Sequence, residues 1–211
     1  MGLHPHPILL QSFAIIDREM GPHAFTADEY AIVRRTIHST ADFAFKDLLH
    51  FSPGAIDQAI AALTEGTPIV TDVSMVTQGI VSTVQSTFQN PIVTAIAQAD
   101  QPLPGCTRTE TGLLDCWGRY PQAIYVIGNA PTALNALCEK IVGAAVQPTC
   151  IIGAPVGFVG VVEAKKRLAA LDVPQIRIDG RKGGSAAAAA ILNALLTLAW
   201  ERSTVLAVQH P

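Results

Sequence analysis

The sequence predicts an α/β fold of three layers, α/β/α, built on a mostly parallel sheet of about five strands. Short β-rich runs recur at 68–73 (PIVTDV), 90–97 (NPIVTAIA), 123–128 (AIYVIG), 149–153 (TCIIG) and 175–179 (QIRID). Segments of helical periodicity separate them, as crossover helices between parallel strands require. Nearly every run is apolar without strict alternation, the pattern of strands covered on both faces. In such a sheet ligands gather beyond the carboxyl ends of the strands, so the turns there are the places to search for function.

A chain of 211 residues fits one domain, 1–211. Its mean hydropathy of +0.34 and its low charged fraction of 15% fit a heavily buried globule. Net charge is −3, with lysines and arginines scattered singly, so there is no basic stripe for nucleic acid. The opening MGLHPHPILL lacks the positive stretch and small-residue cleavage site of a secretory signal, which points to the cytoplasm. Residues 183–200 carry no charge, but five consecutive alanines and Asn193 make them a closely packed carboxyl-terminal helix rather than a membrane span. Cys106, Cys116, Cys138 and Cys150 form no CxxC pair and have no histidines at ligand spacing, so reduced thiols and no bound metal are expected.

Before the first strand, Thr26 and Glu29 write a T-x-x-E capping box into DEYAIVRRTIHST. On this helix Tyr30, Val33 and Ile37 form the apolar stripe, while Arg35 and His38 lie three apart and away from its centre. Such a pair is most often a solvated one. A histidine without a nucleophile beside it nevertheless suits acid or base work near neutral pH. Three glycine turns sit at strand ends: GNAPTAL (128–134), GAPVGFVG (153–160) and GRKGGS (180–185). In the first, Asn129 can cap the helix, Pro131 suits its first turn, and Leu134, Leu137 and Ile141 repeat at core spacing. None matches a dinucleotide or P-loop pattern. Arg181 and Lys182 stand before a helix amino terminus, where backbone N–H groups bind anions, and a carboxylate fits there as well as a phosphate. Tight packing alone would also explain the glycines.

Taken together, SFAII (12–16), the Arg35-x-x-His38 helix, TDVSMV (71–76), TRT (107–109), GNAPTAL, GAPVGFVG followed by Glu163, and GRKGGSA resemble the precorrin-8X methylmutase family over residues 10–196. The resemblance implies a cofactor-free isomerase that moves a methyl group from C11 to C12 of precorrin-8X or cobalt-precorrin-8, giving hydrogenobyrinate or cobyrinate. It maps the catalytic histidine onto His38, which would be protonated before the reaction, and substrate-contacting residues onto Ser12 and Arg35. It also implies a homodimer. The remaining substrate-binding set expected from the turns is Asp72, Asn129, Thr132, Arg181, Lys182, Gly183 and Ser185. Asp72 is equally suited to capping the next helix. A tetrapyrrole carrier without turnover is the alternative, and a nucleotide-dependent enzyme using GRKGGS a weaker one. Cys106 just before TRT departs from the family pattern and leaves Thr107 and Arg108 outside the expected site.

Overall fold

The computed structural model describes residues 6–209, with side chains through 205. The reading of the first five residues as no part of a secretory signal lies outside the described residues. In chain order the elements are α1 (Pro7–Met20), α2 (Ala27–Thr40), a single turn α3 (Phe45–Leu48), β1 (Leu49–Phe51), α4 (Ala55–Thr64), β2 (Ile69–Thr71), α5 (Ser74–Ser86) and β3 (Ile92–Thr94). After a 3₁₀ turn at Ala95–Gln98 come α6 (Arg108–Arg119), β4 (Ile124–Ile127), α7 (Pro131–Ile141), β5 (Cys150–Gly153), α8 (Val161–Ala169), β6 (Gln175–Ile178) and α9 (Ser185–Gln209).

The strands form one sheet in the order β1-β6-β5-β4-β2-β3. All five expected strands are present and mutually parallel, each inside its predicted run. A sixth, β1, pairs antiparallel with β6, Leu49 opposite Ile178. The expected count of about five is thus short by this edge strand. Its three residues, LHF, include a solvent-facing histidine and carry neither an apolar run nor a turn signal. One antiparallel edge on a parallel sheet is a common arrangement.

Alternation along the strands divides the core in two. Ile124, Val126, Ile152 and Ile176 face a layer built from α2, α4, α5 and α9, whereas Tyr125, Ile127 and Ile151 face α6, α7 and α8. The three layers are therefore present as read. Helix α9 is the spine of the first layer: Ala187, Ala188, Ile191, Leu192, Leu195 and Leu196 are all fully buried. Its small residues let α2 and α5 approach closely, and a Cβ on Gly79 of α5 would stand 2.7 Å from the Ala189 Cβ. Among the described residues no helix is long and apolar enough to cross a membrane.

The capping box of α2 forms as written, with Thr26 N–H donating to Glu29 Oε2 at 2.8 Å and Glu29 N–H to Thr26 Oγ1 at 3.3 Å. The buried face of α2 is centred on Ile32, Val33, Thr36 and Ile37. Tyr30, expected in the stripe, is only half-buried, and its hydroxyl donates to Asp17 at 2.5 Å. Arg35 consequently lies nearer the buried edge than the sequence suggests.

Candidate active site

The carboxyl ends of β2, β4, β5 and β6 all open on one edge of the sheet, and the three glycine turns meet there. Asp72, at the end of β2, is fully buried. Its carboxylate accepts the N–H of Gly128 at 3.1 Å, Asn129 at 2.7 Å, Ala130 at 2.8 Å and Val73 at 2.9 Å. Burial raises its pKa above the usual carboxylate value and the four N–H bonds oppose that rise. Every partner is a donor, which only the ionised form satisfies in full. Asp72 therefore has no free face for a substrate: it shapes the GNAP turn. Asn129 correspondingly does not cap α7. Ala130 occupies the cap position without a side-chain bond, the loop N–H groups belong to Asp72, and the Asn129 side chain is exposed at the tip of the turn.

The turns are also tied to one another. Gly157 N–H donates to Arg181 O at 3.2 Å and Gly184 N–H to Ala154 O at 2.8 Å, which zips GAPVGFVG to GRKGGS. Gly183 sits at φ +151°, and a Cβ there would be 2.4 Å from Ala154 O, so only glycine permits this approach. A Cβ on Gly128 would likewise meet Val76 at 2.7 Å and the Ser185 Cα at 2.9 Å, so the first turn abuts the start of α9. Beneath GRKGGS lies Lys165 of α8, fully buried, its ammonium donating to Gly180 O at 2.9 Å and Lys182 O at 2.7 Å. Burial lowers its pKa to about 8. Sequence reading missed this lysine, although a signal exists: Val161, Ala164, Lys165 and Leu168 fall at i, i+3, i+4 and i+7, which puts a charge inside an apolar stripe.

Of the cations before α9, Arg181 is exposed, with its guanidinium 5.7 Å from the centre of the equally exposed Phe158 ring. Lys182 reaches instead to Asp42, at 2.6 Å. That lysine and the Ala44 N–H hold the Asp42 carboxyl below its usual range. Because Asp42 follows the C-cap of α2 directly, this pair sets the GRKGGS turn beside the last turn of the helix that carries His38. Ser185 is half-buried at the start of α9. Thr132 is exposed at the start of α7, where its hydroxyl pairs at 3.0 Å with that of Thr107. Thr107 is the N-cap of α6 in a second T-x-x-E capping box with Glu110, and Arg108 donates to Ile96 O at 3.2 Å.

Toward the amino terminus, α1 packs on α2 and encloses, with α5 and α9, a cleft of about 420 Å³. Leu9, Phe13, Arg34, Arg35, Leu198 and Glu201 are among its lining residues. Phe13 is fixed on two sides, with the Arg34 guanidinium 4.4 Å over its ring and the His38 ring edge-on at 5.6 Å. Arg35 is half-buried, its pKa lowered by that burial, and no carboxylate pairs with it among the described residues. His38 is exposed; partial burial first, and then the Arg35 charge, lower its pKa. The expectation of a histidine protonated before the reaction thus meets a site that favours neutral imidazole in the free chain. Ser12 lies on α1 next to Phe13, and its hydroxyl donates to Ile8 O at 2.9 Å.

The structure therefore brings Ser12, Arg35 and His38 to the α1–α2 face, and Arg181, Lys182, Gly183 and Ser185 to the neighbouring turn. Asn129 and Thr132 lie on the next turn along the same edge. A larger cleft of about 590 Å³, lined by Phe51, Ser52, Gln175 and Arg177, lies at the other end of β6, away from all of these residues. Among the described residues no three histidine, cysteine, aspartate or glutamate side chains gather as a metal site.

The model of the family described as precorrin-8X methylmutase matches residues 7–198, nearly the whole chain. The chain belongs to the precorrin-8X methylmutase family. A cobalt-precorrin-8 methylmutase of Synechocystis sp. is 56% identical over 92% of this chain and 96% of its own length. A precorrin-8X methylmutase of Pseudomonas aeruginosa is 40% identical over 90% of this chain and 94% of its own. Among solved structures, the precorrin-8X methylmutase of Thermus thermophilus superposes with a TM-score of 0.85 at 40% identity, covering 93% of this chain and 99% of that one.

Proposed function

We propose that this chain is an isomerase of cobalamin biosynthesis that moves a methyl group from C11 to C12 of precorrin-8X or cobalt-precorrin-8, with His38 as the proton donor. One observation carries the assignment of roles: a half-buried arginine, unpaired among the described residues, and a histidine lie three apart on α2, and an ion pair just past the end of that helix ties it to a glycine turn rich in N–H groups and positive charge. Arg35, Arg181 and the GRKGGS backbone would hold peripheral carboxylates of the macrocycle, since guanidinium groups and exposed N–H groups both favour them. Lys182 joins them only by exchanging its bond to Asp42.

Proton delivery follows from the charges around His38. In the free chain Arg35 opposes protonation of the imidazole. A substrate carboxylate on Arg35 neutralises that influence, so the His38 pKa rises as the substrate arrives and the proton is taken up where it is needed. The methyl shift itself is a rearrangement within one conjugated ring system: His38 lends a proton to the macrocycle, the methyl group migrates with its bonding electrons from C11 to C12, and one proton returns to the imidazole as the product forms, so the net change is an isomerisation. The carrier without turnover finds no support in the relatives compared above. Homodimerisation and a cytoplasmic location remain part of the proposal. The exposed Met75, Phe158 and Val159 at the ligand edge offer a second copy apolar surface, and four free cysteines suit a reducing compartment.

The deciding experiment is incubation of the purified chain, separately, with metal-free and cobalt-containing precorrin-8. The expected result is conversion of the visible spectrum to that of the corresponding corrin product. Retention of substrate with no spectral change over long incubation would refute the assignment.

A further inference from the structure

Lys165 is the one lysine in the buried core, and the mechanism above makes no use of it. Burying an ammonium is unfavourable unless polar groups replace its water, and the groups that do so here are backbone carbonyls of the GRKGGS turn. Their spacing matters. The two acceptors belong to residues 180 and 182, and in a trans peptide the N–H of the next residue points opposite to the carbonyl. Drawing Gly180 O and Lys182 O inward to Nζ therefore turns the N–H groups of Arg181 and Gly183 outward, away from the core. Among the described residues neither N–H donates to a protein acceptor, whereas the intervening Arg181 O and the following Gly184 N–H are both bonded to the GAPVGFVG loop.

We propose that Lys165 is a positioning residue, whose buried ammonium presents the Arg181 and Gly183 N–H groups as a fixed pair of donors for one carboxylate of the corrinoid. The inference rests on the reading of this turn as a carboxylate site. Its pKa of about 8 keeps the amine largely charged near neutrality, which adds positive potential behind the donors. Asp179, held on its other side by Arg177 at 2.9 Å and His50 at 3.1 Å, favours that charged form.

The test compares single and double variants by spectral titration with hydrogenobyrinate, with initial rates on precorrin-8X alongside. Lys165→Met, similar in shape and uncharged, is expected to weaken product binding by about tenfold or more and to raise KM by a similar factor. Its kcat should change by less than roughly threefold, because His38 and the Arg35 cleft are untouched. Arg181→Glu should weaken binding in the wild-type background and have a smaller effect once Lys165 is gone, since the donors beside it are then no longer aimed. A Lys165→Met protein that melts earlier but binds and turns over with wild-type affinity and KM, while Arg181→Glu alone weakens binding, overturns the role of Lys165 and leaves the turn as a carboxylate site. If neither substitution alters affinity, the reading of the turn fails, and the inference with it. Should Lys165→Met not fold, Lys165→Gln, which keeps N–H donors without the charge, is titrated in its place. In the wild-type protein the Arg181 and Gly183 amide resonances must shift on adding product; resonances that stay put overturn the proposal directly.

Discussion

Two parts of the ligand edge are built on opposite terms. Where the glycine turns meet, the buried charges are consumed inside the protein: Asp72 by four N–H groups, Lys165 by two carbonyls. Where α1 meets α2, Arg35 is half-buried with no acidic partner among the described residues and His38 faces outward. The first region is a frame whose geometry exists before any ligand arrives. The second holds groups whose electrostatics are left incomplete, so a ligand can change their state. Preorganisation and responsiveness are thus assigned to different residues within one site.

The sharpest way to break this contrast is His38→Ala. If the responsive face carries the chemistry alone, turnover falls by a factor on the order of 10² to 10⁴. Product affinity and the thermal midpoint should stay close to wild type, because the side chain is exposed. Titration with hydrogenobyrinate and a circular dichroism melt check the two halves of that statement. Asp72→Asn strikes the frame instead. The amide turns one acceptor oxygen into a donor facing N–H groups, so a loss of roughly 2–3 kcal/mol in folding stability is expected, read by urea denaturation. Wild-type stability in that variant would mean that the four N–H bonds do not organise the edge. The smallest effect should come from Arg35→Gln. Removing the positive charge removes an influence that lowers the His38 pKa, so the imidazole titration followed by NMR in the free protein should move to higher pH. A move to lower pH would show that Arg35 does not act on His38 through its charge.

Much of this was legible in the sequence, for reasons particular residues make plain. Apolar runs without alternation announce buried parallel strands, and all five did; LHF at 49–51 could not, because an edge strand of three residues owes its existence to Leu48 and Asp179 meeting across the sheet. The T-x-x-E box at 26–29 is plain in the sequence, and the same spacing marks a twin at 107–110. Asn129 follows a strand and precedes a proline, which is where a cap belongs. Ala130 holds the cap position instead, and the N–H groups of the turn go to Asp72, more than fifty residues earlier, a partner that no local pattern reports. The direction of the His38 pKa in the free chain is likewise not legible locally: residue type fixes an ordinary value, whereas burial and Arg35 lower it.

The reach of Asp72 bears on how the protein is made. Its carboxylate closes contacts across 56, 57 and 58 residues, and before Gly128 to Ala130 arrive it is a charge at the end of a strand with only the neighbouring Val73 N–H and water to solvate it. During synthesis β2 can leave the ribosome well ahead of β4, yet the two cannot settle side by side in their final form until that carboxylate is covered. Loop closure of this length makes the contact late, so the frame should complete near the end of folding. Asp72→Asn should accordingly speed unfolding more than it slows folding, a split that stopped-flow kinetics would resolve. The frame of glycine turns, whose geometry awaits no ligand, is then itself among the last parts of the molecule to exist.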